Sequence, residues 1–436
     1  MAADRSEDNR GSVCIVRHSF YPFELNVKRE AEALLEDGFD VHVICLRGEN
    51  EAAYEVVEGV EVHRLPVGHR RGRIGRYVFE YNAFFLLASF KLMALDLKNR
   101  FRVIQVNTMP DYLVFTTLVP RLAGARVLIH MHEPMPELFE TMFDRWYGGL
   151  FVGAIRLAEK LSLKYADRVL TVTREMRDNF GSRGADVNKI TVIVNVPDDR
   201  VFGLERYAHL SENVEAVRKR ERRSGKFRVL CHGAIERRYG IDLVVRAVAR
   251  LKESIPGVEF RFMGQGDYLP EVQKLAEELD VTDHVTYLGF VPFETMVEEI
   301  LAANVTVVPV QKNPYSVLVH TNKMYEYVAL RKPVVASRLD SVAAYFPEDS
   351  LVFFEPGNEE DLADKLRYVF AHPEEMAARV ALATEIYETY RWDREKKKYL
   401  GVYHSPDRQL LWLWGDRPRH SWFWADRRGL SKFWGA

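Results

Sequence analysis

Short apolar runs of strand length alternate with helical patterns along this chain, and the alternation starts afresh past its middle. SVCIVRH (Ser12–His18), DVHVICL (Asp40–Leu46), VEVHRLP (Val60–Pro66), RVIQVN (Arg102–Asn107), RVLIHMH (Arg126–His132), RVLTVT (Arg168–Thr173) and TVIVNVP (Thr191–Pro197) read as strands. Helical stretches separate them; the first, NVKREAEALLEDG (Asn26–Gly38), is stopped by Gly38. Strands that alternate with helices imply a parallel sheet covered on both faces. From Asp198 to Lys226 the text becomes highly charged (VEAVRKRERRSGK) and reads as a linker with a solvated helix. The pattern then restarts at RVLCHG (Arg228–Gly233) and continues through EFRFMG, HVTYLG, VTVVPV, KPVVAS and LVFFEP, with helices between. The expected fold class is α/β: two Rossmann-like, doubly wound parallel-sheet domains facing a central cleft. Ligands in such sheets bind beyond the carboxyl ends of the strands. The expected boundaries are 1–200 for the first domain, 201–226 for the linker and 227–380 for the second domain. A helix at 381–404 crosses back to the first domain, and 405–436 form a tail. That tail holds five of the seven tryptophans (Trp412, Trp414, Trp422, Trp424, Trp434) among several arginines.

Composition removes several classes. A length of 436 residues suits two or three domains. With 47% hydrophobic and 28% charged residues the chain is globular rather than disordered. Lys+Arg 61 against Asp+Glu 63 gives a net charge of −2, and a dedicated nucleic-acid binder is not expected. Three cysteines, Cys14, Cys45 and Cys231, all inside apolar runs, fit small buried hydrophobes in a reducing cytosol and exclude a disulfide scaffold. The opening MAADRSEDNRGS has no apolar core of a signal peptide.

Val78–Leu97 (VFEYNAFFLLASFKLMALDL) has the length of a membrane span but contains Glu80, Lys91 and Asp96. Each charge near a span centre costs about 2.5–3.5 kcal/mol, against ~0.3–0.6 gained per apolar residue. Spanning is therefore not expected. Two readings stay open: a helix packed on the core with a solvated basic loop before it, or an amphipathic helix in an anionic interface with the basic stretch GHRRGRIGR (Gly68–Arg76) beside it.

Four stretches of the second half occur in a telling order: HGAIERRYGIDLVVRAV (His232–Val248), FMGQGDYLPEVQKLAEEL (Phe262–Leu279), HVTYLGFVP (His284–Pro292) and HTNKMYEYVALRKPVVAS (His320–Ser337). Arg237 and Arg238 follow a strand end. Lys323 and Glu326 stand three apart on a helix opened by Thr321, so they share a face. A cation in the first helical turn, beside free backbone N–H groups, suits a diphosphate. By order and spacing the chain resembles the retaining glycosyltransferases of family 4 (glycosyl transferases group 1), which have the GT-B fold; the likeness covers roughly residues 12–404.

That resemblance implies an acceptor-binding N-terminal domain and a C-terminal domain that binds a nucleotide-sugar. It implies donor contacts at Gly233, Arg237, Arg238, Gly264, Phe290, Val291, Thr321 and Lys323, with Glu326 taking the ribose hydroxyls. His132 and Glu133 match an acceptor-side His–acid pair, and Arg238 and Lys323 join them as catalytic candidates. Glu137 and Asn195 are weaker ones. The chain departs from the family where Leu318 replaces the first of two glutamates eight apart, with His320 a candidate substitute. Tyr239 and Arg331 also replace usual family residues, and SFYPFELN (Ser19–Asn26) stands where a glycine-rich loop is common.

The expected activity is metal-independent transfer of a sugar from an NDP-sugar, UDP- or GDP-linked, to a lipid-linked or polysaccharide acceptor. No D-x-D metal cluster stands at a strand end, and no cofactor is expected. The setting expected is the cytoplasm, at the inner face of an anionic membrane. The alternatives are a catalytically silent GT-B partner in a membrane assembly, or an NDP-sugar epimerase or pyridoxal-phosphate phosphorylase of the same fold.

Overall fold

The computed structural model describes residues 10–68, 74–142, 148–207 and 225–405. The basic residues 69–73, most of the charged linker (208–224) and the Trp-rich tail from 406 lie outside the described residues.

The first sheet has eight strands: β1 Ser12–Phe20, β2 Asp40–Leu46, β3 Tyr54–Val57, β4 Val60–Leu65, β5 Val103–Asn107, β6 Arg126–Met131, β7 Arg168–Thr171 and β8 Ile190–Val192, in the order β3-β4-β2-β1-β5-β6-β7-β8. The second has six: β9 Lys226–His232, β10 Gly257–Met263, β11 Val285–Tyr287, β12 Val305–Val308, β13 Val334–Ser337 and β14 Val352–Phe354, in the order β11-β10-β9-β12-β13-β14. All pairings are parallel except β3 against β4. Strand order reverses beside β1 in one sheet and beside β9 in the other, which creates a crevice at each strand's carboxyl end.

Local sequence explains the elements. Val27, Ala31 and Leu34 put one apolar stripe of helix Leu25–Glu36 into the core. Helix Ile241–Leu251 buries Val244, Val248 and Leu251 in the same way. The three cysteines are buried and unpaired. Two helices close the described chain, Pro373–Tyr390 and Trp392–His404, where one from 381 is expected; they break at Arg391. The last lies on the first sheet: Arg126 Nη2 donates to the carbonyls of Val402 and Tyr403 at 2.8 Å, and Glu395 accepts from the Val194 N–H at 2.9 Å.

The apolar stretch becomes a 26-residue helix, Ile74–Asn99, laid against the first sheet. Phe84, Ala88 and Leu92 enter the core, and Glu80 and Asp96 are buried on the same face. Arg76 pairs with Glu80 at 2.8 Å, and Asp96 accepts from the Phe101 N–H at 3.0 Å. Within it, Val78–Asn99 is long and apolar enough to cross a membrane by length and composition. The outward side carries Phe79, Leu86, Phe90 and Leu97, at 73%, 56%, 65% and 66% exposure.

Candidate active site

The carboxyl ends of both sheets face a cavity of about 320 Å³. The first lobe supplies Arg17 from β1, Glu24 and Asn26 from the turn into the first helix, His132 and Glu133 beyond β6, and Asn195 beyond β8. The second supplies His232 and Gly233 from the end of β9, Arg238 and Tyr239 from the next turn, Tyr315, and the segment His320 to Glu326. Nine expected residues thus meet here: His132, Glu133, Asn195, Gly233, Arg238, His320, Thr321, Lys323 and Glu326.

Four others do not line it. Arg237 and Arg238 sit on one 3₁₀ turn, Arg237–Tyr239, whose successive side chains point about a third of a turn apart. Arg238 enters the cavity, while the Arg237 guanidinium lies over the Tyr268 ring, 5.4 Å from its centroid. Gly264 (φ +134°) serves chain packing: a Cβ there would stand 1.9 Å from the Gly233 carbonyl oxygen. Phe290 is 77% exposed, and Val291 packs on the core. Glu137 is likewise drawn away, ion-paired to Arg183 and accepting from Asn179 Nδ2 at 3.2 Å.

Cationic groups with buried, unpaired N–H donors dominate the centre. Lys323, only 7% exposed, follows Thr321 at the opening of helix Asn322–Ala329, and its Nζ is buried with no hydrogen-bond partner. It lies 4.9 Å from the Tyr239 ring centroid; Arg238 Cζ stands 5.0 Å from the same centroid. Arg238 spends Nη2 on Glu236 at 2.9 Å, while its Nε and Nη1 are buried and unpaired. Gly233 (φ +110°) lets the chain pass close: a Cβ would come within 3.4 Å of Lys323 Nζ. Arg17, bound to Glu24 at 2.8 Å, keeps a buried unpaired Nη1. Buried charge without a partner is costly, so this arrangement calls for an anion.

Glu326 is held for a different task. His232 bridges Tyr327 and Glu326, with Nδ1 2.8 Å from the Tyr327 hydroxyl and Nε2 2.7 Å from Glu326 Oε2. One carboxylate oxygen is thereby fixed and the other is left for a ligand hydroxyl. Across the cavity, burial raises the Glu133 carboxyl above its usual range, opposed by a hydrogen bond from Tyr315 and by Arg238 and Arg17.

His320 is buried, with Nδ1 3.2 Å from the Ser341 carbonyl and Nε2 without a partner. Donation from Nδ1 leaves Nε2 as a neutral acceptor, unlike the carboxylate it was expected to replace. Burial pushes its pKa down to about 4 from 6.5. The unfolded chain takes up this proton first, so the stability gained from a neutral His320 is complete above 6.5 and is lost as pH falls toward 4. His320→Gln should therefore narrow the difference in Tm between pH 7.5 and pH 5; an unchanged difference would contradict this.

Arg17, Asn26, His232 and Tyr315 were not anticipated. Arg17 alone left a signal, a base inside the apolar run of β1. Two other groups could share an ion by distance, Glu30–His130–His132 and His42–Glu61–His63. In each, two members are already in contact: Glu30 and His130 as an ion pair at 2.8 Å, and His42 and His63 by a hydrogen bond at 3.2 Å. A second cavity of about 260 Å³, beside Lys226, Arg331 and Phe370, holds none of the expected residues.

Residues 25–195 match the model of the glycosyl transferase 4-like domain, and residues 213–385 that of glycosyl transferases group 1. An uncharacterized glycosyltransferase of Methanocaldococcus jannaschii is 23% identical over 87% of this chain and 93% of its own length. A GDP-mannose-dependent phosphatidylinositol monomannoside mannosyltransferase of Mycolicibacterium smegmatis is 26% identical over 43% of this chain and 46% of its own. The structure of HepE from Anabaena in complex with UDP-glucose superposes with a TM-score of 0.68 at 14% identity, covering 91% of this chain and all of that one.

Proposed function

Since this chain belongs to the family 4-like, group 1 glycosyltransferases of the GT-B fold, we propose that it moves a hexose-type sugar from a nucleoside diphosphate donor to a lipid-linked or glycan acceptor, with retention at the anomeric carbon. The observation that carries this reading is the buried, unpaired ammonium of Lys323 beside the free N–H groups of Arg238. Both groups stabilise the diphosphate as negative charge develops on it at bond cleavage. The opening turn of helix Asn322–Ala329 adds its dipole. Glu326 takes the ribose hydroxyls, and His132 and Glu133 face the transferred sugar and the acceptor. The second lobe holds the donor and the first the acceptor.

The acceptor hydroxyl attacks from the leaving-group face, and the departing phosphate oxygen takes its proton. Arg238 and Lys323 supply positive charge at the leaving group, so turnover is expected to proceed without a divalent ion and without a cofactor. A UDP or GDP base agrees with the donors that HepE and the mannosyltransferase are described with. The lipid-linked acceptor is proposed because helix Ile74–Asn99 buries its acids and turns an apolar side outward; a setting in the cytoplasm, at the inner face of a membrane, is part of the same proposal. The test is transfer of labelled sugar from UDP- and GDP-sugars into a membrane lipid extract, with and without EDTA. The expected result is a labelled product from one base, insensitive to EDTA. Loss of product with EDTA and its return with manganese would contradict the metal-free step; no product from any donor would contradict the reading itself.

A further inference from the structure

A buried hydrogen-bond chain runs from the last described helix to His132, and its donors and acceptors leave one consistent assignment. We propose that Asn107 and Glu30 are positioning residues that hold His132 as its neutral Nδ1–H tautomer, and that Tyr399 and Tyr403 of helix Trp392–His404 anchor the chain at its far end. The proposal rests on the transferase reading of the site but concerns the state of one ring.

The hydroxyls of Tyr399 and Tyr403 donate to Gln105 Oε1 at 3.0 and 2.8 Å. With its oxygen so engaged, Gln105 turns Nε2 toward Glu30 Oε2 at 2.8 Å and Asn107 Oδ1 at 2.6 Å. Asn107 therefore accepts through Oδ1 and donates through Nδ2. One Nδ2 hydrogen goes to Glu30 Oε2 at 2.9 Å, and the other faces His132 Nε2 at 3.3 Å. A donor aimed at Nε2 requires that nitrogen to be the acceptor, so the ring proton sits on Nδ1. His132 lines the cavity and its Nδ1 has no partner, which leaves one N–H to offer a ligand oxygen. His132 then serves as a hydrogen-bond donor to the sugar or acceptor rather than as a base through Nε2.

The surroundings agree. Glu30 accepts from Gln105 and Asn107 at Oε2 and faces His130 Nδ1 with Oε1 at 2.8 Å; burial would raise its pKa, but His130, Asn107 and Arg29 hold it below the usual carboxylate range, so it is the ionised acceptor. His132 is driven well below its ordinary value by burial, then by His130, Arg17 and Arg29. The titratable and charged groups around the ring are thus Arg17 on β1, Arg29 and Glu30 on the first helix, His130 on β6, and Glu133 beyond it. Asn107→Leu leaves all five in place; it removes the donor to His132 Nε2 together with the contacts of Asn107 to Gln105 and Glu30, and of these only the first touches the His132 ring.

The test is histidine-selective ¹⁵N NMR of the full-length protein at pH 7.5, with the His132 signal assigned by its loss in His132→Gln. The expected wild-type pattern is a protonated Nδ1 and a bare Nε2. Asn107→Leu is expected to mix the tautomers and lower kcat about tenfold or more, as loss of a ring-orienting partner does, with nucleotide Kd unchanged. Tyr399→Phe with Tyr403→Phe keeps the packing and is expected to lower kcat in the same direction. A proton on Nε2 in the wild type, or wild-type kcat and tautomer in Asn107→Leu, would overturn the proposal. The wild-type spectrum decides even if a variant does not fold. Failure of nucleotides to bind would count against the transferase reading and not against this tautomer.

Discussion

Lys323→Met is expected to yield a protein that is more stable without ligand and nearly inactive with it. An ammonium buried without a partner destabilises the unliganded fold, and removing such a group commonly returns about 1–3 kcal/mol. Methionine has a similar length and no charge, so the unliganded Tm should rise by a few degrees. The same change removes a group that acts where charge develops, which costs about 10²–10³ in kcat. Arg238→Met should lose activity to a similar extent, with a smaller gain in Tm, because Arg238 already spends Nη2 on Glu236. The double variant should lose less than the product of the two, since both cations flank the Tyr239 ring and act on one anion. A thermal melt without ligand, followed by steady-state kinetics, checks both halves. A lower unliganded Tm together with full activity would show that Lys323 is structural.

The second large effect concerns the membrane. Phe79, Leu86, Phe90 and Leu97 are spaced seven, four and seven residues apart, within about 40° on the helix surface. The acids of this helix, Glu80 and Asp96, face the sheet, while Arg76 and Lys98 are exposed. The neighbouring short helix Leu118–Leu122, also exposed at Leu118, Val119 and Leu122, extends the apolar surface. An outward face that is apolar and basic fits an anionic bilayer. Phe79→Glu with Phe90→Glu removes two anchors, each worth roughly 1.5–3 kcal/mol when buried in the interface. Sedimentation with phosphatidylglycerol vesicles should show wild-type binding that weakens with salt, and a loss of at least 100-fold in the double variant. Nucleotide affinity should be the same in both. Absence of wild-type binding to these vesicles would remove the support for a lipid-linked acceptor.

The architecture was legible because buried parallel strands are near-continuous apolar runs, as in VCIV of β1 and VHVICL of β2. β3 was not legible, because Tyr54–Val57 is an exposed edge strand with no apolar run. Its turn at Glu58–Gly59 has both φ positive (50° and 92°), the hairpin geometry, but with Glu rather than Asn or Asp in the first place. Lys323 and Glu326 could be paired from helical spacing alone. Arg237 and Arg238 could not be told apart, because a 3₁₀ turn separates adjacent side chains that a strand-end reading treats alike. Arg17 and Tyr315 come from distant parts of the chain, and only the fold brings them to His132 and Arg238. The support beneath His132 was hidden for the same reason: Glu30, Gln105, Asn107, Tyr399 and Tyr403 meet across the first sheet with no shared motif.

Isothermal titration of the wild-type protein with UDP, UMP, GDP and GMP tests the anion site most directly. One base should bind, and its diphosphate should bind at least 30-fold more tightly than its monophosphate, with that advantage gone in Lys323→Met. Equal affinity for the mono- and diphosphate of the preferred base would mean that Lys323 and Arg238 do not grip a diphosphate.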